Sequence, residues 1–249
     1  MAASSQPDSK KLQPGEPKRP FDLVRESWAL YLGHARILLG YSAWLLVPMA
    51  VSVLASLAFP SNVADVASTV NATLGLVIGT WLSIVIISIT PLLKQKKRLR
   101  PRVISKQAWR IFLPYLFLSI VINLLTGVGI ILLVIPGLII MARLSYAQIL
   151  LVRERMDPME AMKASLSRTK SHTWLLVKRL LYALFAIGLP YACIVFLFIL
   201  GFSRGRGMDI WTFFVSAPPT LLEVVSFQFL DILFLPIFLI YWVLMYEDI

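Results

Sequence analysis

The chain has 249 residues, of which 58% are hydrophobic and only 15% are charged. Soluble domains carry about 45–50% apolar and about 25% charged residues, so both fractions depart from a water-soluble composition in the same direction. A mean hydropathy of +0.78 excludes a soluble globular fold, a disordered chain, a collagen and a disulfide-stapled secreted domain. The net charge of +11 raises the alternative of a nucleic-acid partner, which depends on where the charges lie.

The apolar residues occur in runs that predict an all-α, polytopic membrane protein. Residues 1–20 are polar and proline-containing, which predicts a disordered cytoplasmic tail. Residues 21–249 are predicted to form a single integral membrane domain. A bilayer core of ~30 Å requires roughly 20 helical residues. About six transmembrane helices are therefore predicted, at about 37–59, 74–93, 111–135, 138–153, 180–202 and 221–246.

The third and fourth predicted helices lie in one apolar stretch, residues 111–152. As a single helix this stretch would be ~63 Å long, about twice the thickness of the bilayer core. Ile135-Pro136-Gly137 is the strong helix breaker near its middle, so we expect a tight turn there. Because the segment 138–153 is short, a re-entrant or interfacial position for it remains an alternative to a full span.

The positive charges alternate between the two sides of the predicted helices. Three polar segments, residues 1–36, 94–110 and 153–179, hold 21 of the 24 lysines and arginines. The intervening connections are nearly free of charge. This distribution follows the positive-inside rule. It predicts a multi-pass protein of the cell inner (plasma) membrane with both termini in the cytoplasm.

The densest cluster of positive charge lies in the second of these segments. A cytoplasmic cluster beside a membrane helix favours contact with anionic lipid headgroups. Specific phosphate recognition is an alternative, and nucleic acid is not expected as a partner. The predicted anionic-lipid contacts are Lys94, Lys96, Lys97, Arg98, Arg100 and Arg102.

Two cytoplasmic segments, 21–34 and 158–171, have the pattern of amphipathic helices lying on the membrane surface. In the second, Asp157 and Pro158 are typical of a helix start. The first contains Arg25, Ser27 and His34. Lys163 and Ser165 of the second, with His172 just after it, repeat the basic, Ser and His residues at the same spacing. An internal repeat and coincidence are both compatible with this similarity. Residues 106–109 are candidates for the start of a middle unit.

Residues that carry chemistry are few. The two histidines, His34 and His172, are isolated from other metal-ligating residues, and Cys193 is the single cysteine. This pattern predicts no metal site and no disulfide within the chain. We found no nucleotide-binding, metalloprotease or hydrolase motif. We therefore expect no cofactor, no catalytic residues and no enzymatic activity.

Three ionisable residues fall within the predicted membrane helices, where isolated charges are expensive and therefore suggest function. They are Arg143, Glu223 and Asp231. Arg143 and Asp231 are predicted to lie at similar depths, so we expect an ion pair between them, with Glu223 as the alternative partner. The pair would either lock helix packing or form part of a substrate or proton path.

One region is similar to a known family. Residues 129–147 read GIILLVIPGLIIMARLSYA, and residues 157–165 read DPMEAMKAS, followed by Thr169-Lys170. Over about residues 125–174 this pattern resembles the bacterial membrane domain associated with some glycerophosphodiester phosphodiesterases, and related uncharacterised polytopic inner-membrane proteins. Ser171-His172 departs from the Gly-Asn-like pair expected there. The resemblance implies an all-helical module without catalysis, because the family's chemistry resides in a separate barrel domain.

Together these patterns predict a non-enzymatic integral membrane module, a scaffold or accessory subunit that engages lipids, another membrane protein or a second copy of itself. The alternative is a small transporter or permease that uses Arg143, Glu223 and Asp231. A lipid-modifying enzyme is a third alternative.

Overall fold

The computed structural model describes residues 17–58, 64–216 and 221–249, and this part of the chain is helical and without strands. Its helices are α1 (Pro20–Gly33), α2 (Ala35–Ser42), α3 (Leu46–Ala58), α4 (Ala64–Lys94), α5 (Pro101–Arg110), α6 (Phe112–Leu132), α7 (Val134–Leu144), α8 (Ala147–Glu154), α9 (Pro158–Arg168), α10 (Thr173–Ala183), α11 (Leu189–Gly205), α12 (Ile210–Ser216) and α13 (Leu221–Glu247). The all-α architecture predicted from the sequence is confirmed.

Five helical segments within these residues are long and apolar enough to cross a membrane, and a sixth is added if one bent pair counts as a single span. The bent pair is Pro20–Gly33 with Ala35–Val51, which meet at 83°. The five segments are Thr69–Lys94, Phe112–Leu132, Val134–Glu154, Lys170–Gly205 and Val225–Glu247. The prediction of about six membrane-crossing helices is therefore confirmed as five to six.

The helices predicted over 21–34 and 158–171 are present as α1 and α9. Residues 1–16 of the predicted tail lie outside the described residues. Lys18 belongs to the fold, because its backbone N–H donates a 2.8 Å hydrogen bond to the Asp248 carboxylate. α9 begins with Pro158, which fits the first turn of a helix because the N–H it lacks would have no partner there.

Similar backbone angles recur at three junctions between helices. His34 follows α1 with φ −129° and ψ 22°, Ile111 follows α5 with φ −102° and ψ 7°, and His172 precedes α10 with φ −114° and ψ 14°. Ser27 and Ser165, each seven residues before its histidine, are both fully buried. The interpretation of the chain as repeated units, each a surface helix followed by a helical hairpin, stays a prediction.

The turn between α6 and α7 lies at Leu133, with φ −161° and ψ 132°, and not at Pro136-Gly137 as the sequence predicted. Pro136 is instead in the first turn of α7, where a missing N–H is tolerated. Gly137 allows the two helices to cross closely, because a β-carbon at this position would lie 2.5 Å from the backbone nitrogen of Ile130. Pro136 therefore lies in the first turn of α7, and Gly137 allows α7 to pack closely on α6. Neither residue interrupts the helix.

The most deeply buried side chains lie toward one end of the bundle. In α4 they fall between Leu82 and Ile89, in α8 between Ala147 and Val152, and in α13 between Ile237 and Met245. At this end Lys94, Arg153 and Glu247 meet through ion pairs. We call it the charged face and define it by these three residues. Lys94 and Arg153 come from two of the three basic segments, and Lys18 of the first segment is linked to Lys94 through Glu26.

Candidate functional site: the charged face and the α5 cleft

An ion-pair network closes the charged face. The Glu247 carboxylate, in the last turn of α13, lies 3.1 Å from the Lys94 ammonium and 3.0 Å from the Arg153 guanidinium. Lys94 also lies 3.2 Å from Glu26, which pairs with Lys18 at 2.7 Å. The network thus ties α1, α4, α8 and α13 together. Each of its two carboxylates contacts two cations, so both negative charges of the network are paired.

A buried ion pair lies beneath this network. The side chain of Arg179, on α10, is fully buried and contacts the Asp248 carboxylate, which is itself only 9% exposed. The same guanidinium donates a 2.7 Å hydrogen bond to the carbonyl oxygen of Lys18. The Tyr241 hydroxyl donates to the Arg179 carbonyl at 2.8 Å. These bonds hold the residues before α1 and after α13 against α10.

One cavity of about 730 Å³ opens on the charged face beside the network. Its cations include Lys94, Arg153 and Arg168, and each of them already contacts a carboxylate, Glu247 or Glu154. The Arg168–Glu154 pair is bidentate, with N–O distances of 2.6 and 2.8 Å. Because these acids satisfy the positive charge, an anionic ligand would have to displace them.

A second cavity, which we call the α5 cleft, has a different charge balance. It has a volume of about 570 Å³ and is lined by Arg102, Val103, Lys106, Gln107, Arg110, Ile111 and Arg155. Its four cations have no carboxylate within 4 Å in the part of the chain that the structure describes. No acidic residue lines it, so its electrostatic potential is positive and uncompensated.

The sequence of α5 explains how three of the cations share one cleft. Arg102, Lys106 and Arg110 recur every four residues, a spacing that places them on one helix face. Ile104 and Ala108 lie on the opposite face and are buried. α5 is therefore strongly amphipathic, with one face in the core and a basic face turned outward.

Arg155 completes the cleft from the turn between α8 and α9. Its φ of +56° is in the left-handed region, which costs a non-glycine residue about 1–2 kcal/mol. Such strain persists where the surrounding structure over-determines it, and it clusters at binding sites. The strained turn brings the fourth positive charge to the cleft from a part of the chain distant in sequence.

The predicted anionic-lipid residues separate into three groups. Lys94 is engaged in the ion-pair network, and Arg102 lines the α5 cleft. Lys96, Lys97, Arg98 and Arg100 are exposed on the turn between α4 and α5. Sequence reasoning missed Lys106, Arg110 and Arg155 as members of the site. The helical spacing from Arg102 could have identified the first two, whereas Arg155 has no local signal.

The structure does not bring Arg143, Asp231 and Glu223 together. Arg143 donates a 3.0 Å hydrogen bond to the carbonyl oxygen of Leu166 on α9. Asp231 accepts a 2.7 Å hydrogen bond from the Tyr191 hydroxyl, and Glu223 lies 3.6 Å from Arg206. The expected Arg143–Asp231 pair is therefore not formed. Arg143 instead bonds to α9, which packs against α7. The comparison of depths within the membrane did not include this contact.

Comparisons of the chain with protein-family models, with curated proteins and with solved structures found no significant match. The family resemblance over residues 125–174 stays a prediction from the residues quoted for it. A function for the chain must therefore be argued from the charges and geometry of the charged face and the α5 cleft.

Proposed function

We propose that this chain is a non-enzymatic module of the inner membrane that binds anionic phospholipid headgroups in the α5 cleft, with the charged face in the cytoplasm. The single observation that carries the proposal is the cluster of four cations, Arg102, Lys106, Arg110 and Arg155, around one cavity without an acidic residue. A phosphate group is the ligand that such a cluster fits, because guanidinium groups bind its oxygens with charge-assisted hydrogen bonds.

The apolar neighbours of the cleft indicate that the phosphate belongs to a lipid. Val103 and Trp109 on α5 are 58% and 54% exposed, and Leu113 at the start of α6 is 72% exposed. Tryptophan is enriched at the level of lipid headgroups, and amphipathic helices lie in that region with basic residues on their polar face. A lipid can offer its phosphate to the cleft and its acyl chains to these side chains.

The arrangement favours binding over transport. Arg143, Asp231 and Glu223 each have a separate partner, whereas the four cations of the cleft share one cavity and are open to a ligand. The charge distribution supports the orientation, since 21 of the 24 basic residues lie in segments 1–36, 94–110 and 153–179.

Native mass spectrometry of the protein released from mild detergent tests the proposal. The protein is equilibrated with equal amounts of phosphatidylglycerol and phosphatidylcholine that have the same acyl chains. We expect the wild type to retain phosphatidylglycerol preferentially. In Lys106→Gln/Arg155→Gln, the preference is expected to disappear, because both removed charges line the cleft.

The double variant Lys163→Gln/Lys170→Gln is the matched control. It removes the same number of positive charges from exposed positions on and after α9, outside the cleft. We expect it to keep the preference of the wild type. Equal retention of the two lipids by the wild type, or equal loss in both double variants, would contradict a headgroup site in the cleft.

A further inference from the structure

The α5 cleft holds more positive charge than one phosphate of a phospholipid can balance. Four cations line it, and none of its lining residues is acidic. A phosphodiester such as that of phosphatidylglycerol carries a single negative charge, so most of the positive charge would stay uncompensated around it. Like charges repel at short range unless anions lie between them. The charge of the cleft therefore favours a ligand with more than one phosphate.

The cations are also spread along the helix. Arg102, Lys106 and Arg110 follow one another at intervals of four residues, so the two arginines are about 12 Å apart along the axis of α5 at 1.5 Å per residue. A single phosphate would have to draw both arginine side chains toward one point. Two phosphates placed along the row would each meet cations from adjacent turns. Arg155, from the turn between α8 and α9, brings the supply to two cations for each phosphate.

The uncharged part of the cleft suits a short bridge between two phosphates. Gln107 lines the cleft beside the row of cations. Its side-chain amide both donates and accepts hydrogen bonds, so it can pair with a hydroxyl group. A glycerol bridge between two phosphates carries such a hydroxyl on its central carbon. The three-carbon bridge is also comparable in length to one helical turn of ~5.4 Å, which is close to the spacing of the cations along α5.

The helix that follows the cleft offers an apolar surface for acyl chains. Ile111 lines the cleft, and α6 begins at the next residue. Exposed apolar side chains then recur on α6 every three or four residues, a spacing that places them on one helix face. They are Leu113, Phe117, Ile120 and Leu124, with exposed fractions between 53% and 72%. This row is about 16 Å long at 1.5 Å per residue, so the chains of a lipid held in the cleft can lie along it.

We infer that the ligand of the α5 cleft is a phospholipid with two phosphates joined by a short bridge, which is the headgroup chemistry of cardiolipin. The inference rests on the proposed headgroup binding and names the lipid class for the same site. Each phosphate pairs with two of the four cations, the bridge lies beside Gln107, and the acyl chains follow α6 into the bilayer. A soluble bisphosphate shares the charged part of this chemistry but has no acyl chains.

Lipid titration of the protein in mild detergent, followed by native mass spectrometry, tests the inference. Dilysocardiolipin with one acyl chain on each outer glycerol is compared with phosphatidylglycerol that carries the same acyl chains. Both lipids then have two chains, and they differ in the number of phosphates. Phosphatidylcholine is the neutral reference. The deacylated headgroup, bis(glycerophospho)glycerol, represents a soluble ligand.

We expect the wild type to bind dilysocardiolipin roughly 30-fold more tightly than phosphatidylglycerol, because the second phosphate engages two further cations. The deacylated headgroup is expected to bind more weakly than dilysocardiolipin, since it makes no contact with α6. In Arg102→Gln/Arg110→Gln, the two phospholipids should bind about equally. This variant should still prefer phosphatidylglycerol over phosphatidylcholine, because Lys106 and Arg155 remain to hold one phosphate.

The double variant Lys97→Gln/Arg98→Gln is the matched control. It removes two exposed positive charges from the same basic segment, outside the residues that line the cleft. We expect it to keep the wild-type preference for dilysocardiolipin. Loss of the preference in both double variants would show that it reflects the overall charge of the segment, and this would overturn the inference.

The comparison separates failure of the inference from failure of headgroup binding itself. A wild type that prefers phosphatidylglycerol over phosphatidylcholine, but binds dilysocardiolipin no more tightly, would overturn the inference and leave headgroup binding in place. A wild type that prefers neither anionic lipid over phosphatidylcholine would overturn both. Equal affinity for the deacylated headgroup and dilysocardiolipin would identify a soluble ligand. An unchanged preference in Arg102→Gln/Arg110→Gln would place the second phosphate outside the cleft, and each of these two results contradicts the inference.

Discussion

Gly129 and Gly137 pack so closely that a β-carbon added to Gly129 would lie 2.9 Å from the α-carbon of Gly137. This contact joins α6 to α7 just below the turn at Leu133. The contact accounts for Gly137 within α7, and Pro136 is tolerated there because it lies in the first turn of the helix. The glycine is needed for the approach of the two helices.

Gly137→Ala is therefore expected to destabilise the protein by about 1–3 kcal/mol, the usual effect of overpacking. The new methyl group would meet the Ile130 backbone, which cannot move without shifting α6. The free energy of unfolding, measured by titration with sodium dodecyl sulfate, checks this. Gly40→Ala on α2 is the control, because open space surrounds that position. Equal stability of the two variants would contradict the close helix crossing.

The buried Arg179–Asp248 pair and the exposed Arg168–Glu154 pair offer a direct contrast. Asp248→Asn leaves the fully buried guanidinium of Arg179 without a compensating charge, and breaking a buried pair in this way costs about 3–5 kcal/mol. Arg168→Gln removes a pair whose arginine side chain is 46% exposed, where the expected loss is below about 1 kcal/mol. The same unfolding titration compares them. A larger loss for Arg168→Gln would refute the proposed importance of the buried pair.

Glu26 makes the stability of the charged face sensitive to acid. Partial burial alone would raise the pKa of Glu26, but the ion pairs with Lys18 and Lys94 outweigh it and hold the pKa below its ordinary value of 4.5. A carboxylate with a lowered pKa in the folded state stabilises that state above its unfolded pKa. The stabilisation is lost as the pH falls through the folded pKa.

The difference in thermal midpoint between the wild type and Glu26→Gln should consequently be largest near neutral pH and shrink below about pH 4.5. Glu160→Gln serves as the control, since it removes an exposed carboxylate on α9 that forms no ion pair in the described part of the chain. A difference for Glu26→Gln that grows on acidification would show that the ion pairs do not stabilise the carboxylate.

Arg143 and Asp231 are expected to behave as independent residues. Each has its own hydrogen-bond partner, Leu166 for the arginine and Tyr191 for the aspartate. Effects of separate sites usually add within about 0.3–0.5 kcal/mol. The unfolding free energies of Arg143→Gln, Asp231→Asn and the double variant should therefore be additive. A coupling of about 1 kcal/mol or more would mean that the two side chains interact after all.

The sequence was sufficient to predict the features that depend on local composition. Hydropathy identified the apolar helices, and Asp157-Pro158 identified the start of α9. The turn at Leu133 was misplaced because proline is read as a helix breaker, although it is compatible with the first turn of a helix. Periodicity alone does not distinguish these two uses of the residue.

Features that depend on packing between distant segments could not be predicted. The partner of Arg143 is set by α9 folding back onto α7, which no local pattern encodes. Lys94 belongs to a basic cluster in the sequence, yet its ammonium is engaged by Glu26 and Glu247. Arg155 reaches the α5 cleft only through a strained turn. The sequence thus indicated a basic, lipid-facing region, and tertiary structure selected which of its charges remain open to a ligand.

The most direct test of the account is the ratio of dissociation constants for phosphatidylglycerol and phosphatidylcholine, measured by lipid titration in detergent. Each basic residue near an anionic lipid surface contributes about 1 kcal/mol. Lys106→Gln/Arg155→Gln should therefore weaken phosphatidylglycerol binding by roughly 30-fold and leave phosphatidylcholine binding unchanged. Lys163→Gln/Lys170→Gln should retain the wild-type ratio. An unchanged ratio in the first double variant would contradict the proposal that the α5 cleft binds anionic headgroups.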